Sequence, residues 1–296
     1  MSLTFEQAMR LSGLLPRAIV PDGKWRRCPT EDHPRKRNGA YILHADGRGY
    51  WRNWALDDGV NSWADDNATQ AKPMDMERIK AQREKERAYR VQSVRSARKF
   101  WNESRPLSLP HAYIAKKGLL PLGCAGLRIN DGLLVIPVML GDSLISVQTI
   151  DAEGSKKFWP GAPVKSGCFI LHRDRFAITI FCEGLATGLA LFQSVKNARV
   201  IVCFNAGNLL DVTAYLKPTG SVVFAADNDH RTKVLRGFNP GIEKATNAAE
   251  LIGAGVAYPE GIEGSDWDDW LREIGEGAAR KLERLILSKA KYVGAA

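Results

Sequence analysis

The sequence predicts an α/β chain whose second half is a parallel, Rossmann-like sheet, preceded by an α+β segment and a small β-rich first domain. Three observations carry this. From Ala177 onward, apolar runs of strand length alternate with helical stretches, a spacing that argues for parallel strands joined by right-handed crossovers. Two of those runs end on acid, Phe181-Cys182-Glu183-Gly184 and Ala226-Asp227-Asn228-Asp229. Ligands of such sheets bind at the carboxyl ends of the strands, where strand order reverses. At the other end of the chain, short extended pieces are divided by Gly, Asp and Asn, and half of the eight tryptophans lie there.

Taken in order, residues 1–66 form the first domain. Thr4-Phe5-Glu6-Gln7 fits a capping box, in which threonine and glutamine satisfy each other's helix-start amides. Extended pieces follow near Lys24–Arg27, Ala40–His44 and Tyr50–Trp54. Trp25, Trp51, Trp54 and Trp63 interleave with Arg26, Arg27, Arg35, Lys36 and Arg37. Aromatic faces beside cations suit single-stranded nucleic acid, where stacking contributes roughly 1–3 kcal/mol per base; a small structural core would use at least two of the four tryptophans. Residues 67–104 read as a charged helical linker with a thin apolar stripe of Met76, Ile79, Val91, Val94, Phe100 and Trp101.

Residues 105–172 hold a helix from His111 to Lys117, then a hairpin of Gly132–Met139 and Leu144–Ile150. A loop, Gly154-Ser155-Lys156-Lys157-Phe158-Trp159-Pro160-Gly161, comes next. Within 173–262 the expected strands are 177–182, 199–204, 221–226 and 255–258. The intervening helices are 185–195, 208–216 and one near 241–253. Residues 263–296 read as one helical tail from Trp267 to Tyr292, with Leu271, Ile274, Ala278, Leu282 and Leu285 on one face.

Composition narrows the function classes. A 296-residue chain of ordinary apolar content can bury two or three cores. It has no run of eighteen apolar residues, and its start is an amphipathic helix candidate. A soluble cytoplasmic protein with no membrane partner is therefore expected. The five cysteines (Cys28, Cys124, Cys168, Cys182, Cys203) are scattered and never form a Cys-x-x-Cys pair, which argues against a disulfide framework or a four-cysteine zinc site. A formal charge of +9 favours a polyanionic partner.

Glu183, Asp227 and Asp229, delivered to one end of a sheet, would repel one another, and a divalent cation is the usual remedy. Hard oxygen ligands suit magnesium, or manganese, which binds phosphates while keeping waters. Asp227 and Asp229 are two apart, so an extended segment projects both to one side. In Asp266-Trp267-Asp268-Asp269, Asp268 is a further candidate ligand, or the group favours the start of the last helix.

These residues resemble the Toprim domain of bacterial-type primases, topoisomerases and related nucleases, over residues 173–262. The surroundings are most similar to primases of phages and conjugative plasmids. Glu183-Gly184-Leu185-Ala186-Thr187-Gly188, the His111-x-Tyr113 helix ending at Gly118, the Gly154-x-Lys156-x-Phe158-x-x-Gly161 loop and Asp266-Trp267-Asp268 carry that likeness. It implies a Toprim catalytic domain preceded by an α+β primase subdomain. Metal would lie on the aspartates, and Glu183 would take part in proton transfer. Lys156, Lys157 and Arg128 would meet the incoming nucleotide or template. Two departures stand out. Thr187 occupies the place of an aspartate in cellular primases. Trp51-Arg52-Asn53-Trp54 stands where a zinc ribbon's second ligand pair would be, after Cys28 and His33, so zinc is not expected.

The resemblance implies a DNA primase that uses single-stranded DNA and ribonucleoside triphosphates. A replicative helicase or another replisome protein would be its partner, in the bacterial cell of a phage or mobile element. A Toprim-type nuclease and a non-catalytic single-strand-binding accessory protein are the alternatives.

Overall fold

The computed structural model describes residues 3–54, 56, 59–65, 76–108, 110–119, 126–172 and 174–294, with the backbone alone at 76–80 and 236. The expected boundary at 66/67 and Cys124 lie outside the described residues. The chain divides into two compact units, Met1–Ala81 and Gln82–Ala296.

In the first unit, helix α1 (Phe5–Leu11) starts with the expected capping box between Thr4 and Gln7. Strands β1 (Arg26–Cys28), β2 (Gly39–Leu43), β3 (Arg48–Asn53) and β4 (Asn61–Ala64) pair in that order as an antiparallel sheet. The last strand was not anticipated: Asn-Ser-Trp-Ala is too short to show a period. Phe5, Met9, Leu14, Cys28, Tyr41 and Trp51 make the core. Phe5 meets Trp51 edge-on at 5.9 Å, and a side chain at Gly49 would fall 2.2 Å from the Phe5 ring. Cys28 lies in this core, and burial pushes its thiol up to about 11.

Helix α2 (Met76–Glu103) runs into the second unit. It is a free-standing charged rod only in part. Ser93 and Ala97 are buried, Trp159 Nε1 donates to Ser96 Oγ (2.8 Å), and the Phe100 and Trp159 rings lie 4.8 Å apart. Val91, expected on the apolar stripe, is exposed; the real seam combines small residues with aromatics, which a hydropathy pattern does not weight. After β5 (Arg105–Pro106) and α3 (Ala112–Lys116) come β6 (Arg128–Asn130), β7 (Leu133–Leu140), β8 (Ser143–Ile150) and β9 (Lys156–Phe158). With β5 at one edge, these four complete a five-stranded antiparallel sheet in chain order. The expected hairpin is its centre, and the expected loop at Lys156 is its edge strand.

The third sheet positions the acidic residues. It contains β10 (Phe169–Leu171), β11 (Ile178–Cys182), β12 (Ala198–Val202), β13 (Gly220–Ala225) and β14 (Gly255–Ala257), in the order β10-β12-β11-β13-β14. The four strands from β12 to β14 are parallel and β10 runs antiparallel at the edge. Every residue of β11 is buried, as a strand covered on both faces requires. Its covers include α4 (Leu185–Ser194), α5 (Leu209–Leu216), α7 (Pro240–Glu250) and α9 (Ala278–Lys289), with the short α6 (His230–Arg236) and α8 (Trp267–Ile274) between.

The chain passes from β11 to β12 on one side, then crosses to β13 on the other. Strand order therefore reverses between β11 and β13, which is where such sheets place ligands. The expected single tail helix is two helices. Gly275 (φ 69°) and Gly277 (φ 75°) break it, because both take the left-handed region that glycine reaches at little cost. The tail then closes as β15 (Lys291–Val293), antiparallel to β13. Among the described residues, no helix is long and apolar enough to cross a membrane.

Candidate metal and nucleotide site

Strand β11 ends at Cys182, so Glu183 is the first residue beyond it, and Gly184 caps α4. Gly188 lets that helix sit against the sheet: a Cβ there would lie 2.6 Å from Val202. Glu183 is held largely out of water, and its Oε1 is buried with no hydrogen-bond partner. Burial first, and Asp229 second, push its carboxyl up to about 7 against the Asp227 and Ala206 amides and Lys156, which pull it down.

Asp227 follows β13. Burial drives its carboxyl well above the usual range, with Glu183, Asp266 and Asp229 adding repulsion, while a hydrogen bond from Thr187 opposes them. Thr187 Oγ1 donates to Asp227 Oδ1 at 3.2 Å. Thr187, in the first turn of α4, thus contacts Asp227 directly. Asp229 is raised by burial and lowered by the Gly241 amide, which donates to Asp229 Oδ2 (3.1 Å) at the start of α7. Gly241 permits that approach, since a Cβ there would meet the Asp227 carbonyl oxygen at 2.4 Å. Asn239 Oδ1 accepts from the Asp229 amide (3.3 Å) and its Nδ2 donates to Asn228 Oδ1 (2.8 Å). The Asp-Asn-Asp segment is therefore pinned from the α7 side.

The acidic tail reaches the same end of the sheet. Trp267 Nε1 donates to the Ala226 carbonyl (3.1 Å), and the Asn228 amide donates to the Ser265 carbonyl (2.7 Å). Asp266 is raised to about 7 by burial and by Asp268, and it is the tail residue that acts on Asp227. Among the described residues, the three acids whose ligand oxygens all lie within 4.8 Å of one another are Asp266, Asp268 and Asp269. Asp268, expected as a metal ligand, is buried and its Oδ2 lies 2.6 Å from Lys117 Nζ. Asp266 belongs to the acidic tail from which one member was expected to reach this site; sequence reading did not find Lys117, Asn239 or Gly241 as site residues. The His-x-Tyr run around α3 was the available signal for the first of these.

Of the expected cations, Lys156 comes to the carboxylates: its Nζ lies 3.7 Å from where a Gly184 Cβ would stand, and it lowers the Glu183 pKa. Lys157 pairs with Thr149 one position along the edge strand, so alternation turns it to the other face. Arg128 is committed elsewhere. Its Nη1 donates to the Trp101 carbonyl (2.6 Å) and its guanidinium lies 4.4 Å from the Trp101 ring centre. That holds β6 to α2, a structural tie beside the nucleotide contact expected of this side chain.

In the first unit, Arg17, Arg26, Arg27, Arg35, Lys36 and Arg37 line one cleft of about 600 Å³ with no carboxylate in its lining. Asp22 Oδ2 accepts from Arg26 at 2.6 Å nearby. Trp51 is 6 % exposed, so it packs the core and cannot stack on a base. Trp63 is tied by its indole nitrogen to the Leu3 carbonyl (2.7 Å). Trp54 is open on the surface, but Arg27 lies over its ring at 4.0 Å. Trp25 is exposed.

Residues 178–277 match the Toprim domain family. Two curated proteins from Escherichia coli, both named DNA primase TraC, are 28% and 27% identical to the chain over 81% and 86% of it. The chain spans 24% and 19% of their lengths. Among solved structures, the primase fragment of the bacteriophage T7 primase-helicase protein aligns over 61% of this chain and 78% of that one, at 15% identity and a TM-score of 0.42.

Proposed function

We propose that this Toprim-domain chain, of the plasmid and phage primase type, is the catalytic portion of a DNA primase that joins ribonucleotides on a single-stranded DNA template. The observation that carries the reading is the cluster of Glu183, Asp227 and Asp229 at the switch between β11 and β13, all three with raised carboxyl pKa values. Carboxylates that repel each other in a half-dry pocket, one with an orphaned buried oxygen, fit a hard divalent cation. Magnesium or manganese is the ion we assign.

When bound, the ion supplies charge neutralisation for a triphosphate and acidifies the attacking hydroxyl. The chain's own groups do the rest. Glu183, at the end of β11 beside that ion, is the group we assign to accept the proton of a primer 3′-hydroxyl. Thr187 and Gly241 fix the orientations of Asp227 and Asp229. Lys156 offsets phosphate charge at the mouth. The cleft of the first unit takes template through phosphates, with the exposed Trp25 and Trp54 as the aromatic surfaces left for bases. Ribonucleoside triphosphates as substrates, a helicase-bearing replisome as partner and the bacterial cytoplasm as location belong to the same proposal.

The test is incubation of the protein with single-stranded DNA, magnesium and labelled ribonucleotides beside Asp227→Asn. Short labelled oligomers from the wild type alone support a primase. Nicked template without oligomers moves the site to a nuclease. Tight binding with neither product leaves an accessory single-strand binder.

A further inference from the structure

We propose that Lys117 is a tethered cation: its ammonium holds the position among Asp266, Asp268 and Asp269 that a further divalent ion would otherwise take. The three carboxylates offer oxygens within 4.8 Å of one another. Lys117 Nζ lies among them, 2.6 Å from Asp268 Oδ2, 3.7 Å from Asp266 Oδ2 and 4.0 Å from Asp269 Oδ1. Asp268 is 1 % exposed, and its Oδ1 is buried without a hydrogen-bond partner. A carboxylate so far from water needs a cation beside it. Magnesium would need that carboxylate at about 2.0–2.1 Å in near-octahedral surroundings, which an ammonium at the same oxygen denies it.

The chain is built to aim this lysine. His111 Nδ1 accepts from the Tyr113 amide and caps α3, while its Nε2 meets the Gly132 carbonyl oxygen at 2.7 Å. Tyr113 is buried and packs where a Cβ on Gly154 would be 3.3 Å from its ring. Gly118, at φ +65°, ends the turn directly after Lys117. The His-x-Tyr-x-x-x-Lys-Gly run, outside the metal-bearing strands, is thus the mounting of a single charge. Lys117 is a positioning residue. With Arg272, which donates to Asp269 Oδ1, it offsets two of the tail's three carboxylates and leaves Asp266 between itself and Asp227, and the tail shapes the site without an ion of its own.

The test contains no nucleotide, so its outcome is separate from that of the priming assay. Manganese bound per chain is counted by electron paramagnetic resonance. Lys117→Gln, which keeps most of the stem, is expected to bind one more ion than the wild type. Lys117→Arg should match the wild type, and Lys117→Gln with Asp268→Asn should return to the wild-type number. An unchanged count in folded Lys117→Gln overturns the proposal. Should that variant not fold, Asp268→Asn alone decides: an unchanged count supports the tethered cation, and a loss of one ion overturns it.

Discussion

The two strongly charged regions of this protein handle charge in opposite ways. At the end of the parallel sheet, Glu183, Asp227 and Asp266 lie largely out of water, and their pKa values rise accordingly. In the first unit, six cations line a cleft of about 600 Å³ on the surface. Burial makes each acidic group sensitive to its neighbours, because low dielectric strengthens every interaction there. Solvent makes each basic group nearly independent and screened by salt. The first arrangement suits chemistry at one point, and the second suits holding a long polyanion whose position need not be fixed.

The sharpest test of that contrast is Glu183→Gln. It should cut nucleotide joining by about 10²–10⁴-fold, the usual range for removing a general base. It should also stabilise the metal-free protein at pH 8, since a repelled buried carboxylate is gone. A variant that is inactive and also less stable at pH 8 would mean that Glu183 is a structural member of the sheet end.

Next in size is the comparison of two tryptophans three positions apart. Trp51→Ala empties a core site and should cost about 3–5 kcal/mol. Trp54→Ala removes a surface ring under Arg27 and should change stability by less than about 1 kcal/mol while weakening DNA binding. Chemical denaturation and a binding titration separate the two. A fully stable Trp51→Ala with reduced binding would restore Trp51 to the interface.

That pair also marks how far the sequence is legible. The alternating strands from Ala177 and both acid-bearing strand ends follow from period and position alone, as does the capping box at Thr4. Trp51 and Trp54 do not separate by type; their burial depends on which face of β3 turns to Phe5, and on the pairing of β3 with β4 beyond it. Arg128 and Lys156 look alike as cations near a hairpin. Only the packing of α2 against β6, and the edge position of β9, send one to Trp101 and the other to Gly184. The tail's break is readable in hindsight from Gly275 and Gly277, where two left-handed residues outweigh an apolar face that continues through them. For Lys117 the His-x-Tyr run marks the helix but not the role, since its partners lie some 150 residues away.

Raised carboxyl pKa values also set the sign of a pH effect. Below the unfolded value near 4.5, Glu183 is protonated in both states. Between there and about 7, the folded protein keeps a proton that the unfolded chain releases, so stability falls as pH rises and levels off above 7. At roughly 1.4 kcal/mol per pKa unit, Glu183 alone contributes about 3 kcal/mol of loss, with Asp227 and Asp266 acting in the same direction. Metal-free protein should therefore melt lower at pH 8 than at pH 5.5, and saturating magnesium should flatten that difference. Melting points that rise with pH under chelator would contradict the burial of these acids.

The smallest expected effect falls on the basic cleft. Each cation that neutralises a phosphate of single-stranded nucleic acid contributes about 0.7 to the slope of log affinity against log salt. Replacing Arg27, Arg35 and Arg37 together by alanine should lower the slope by about 2 and weaken binding about tenfold at moderate salt, across template sequences alike. Asp227→Asn should leave that slope where it was, because its charge lies in the other unit. If the triple variant instead lost affinity for one sequence and kept its salt dependence, the cleft would be reading bases, and the contrast between a fixed acidic site and a diffuse basic one would fail at its basic end.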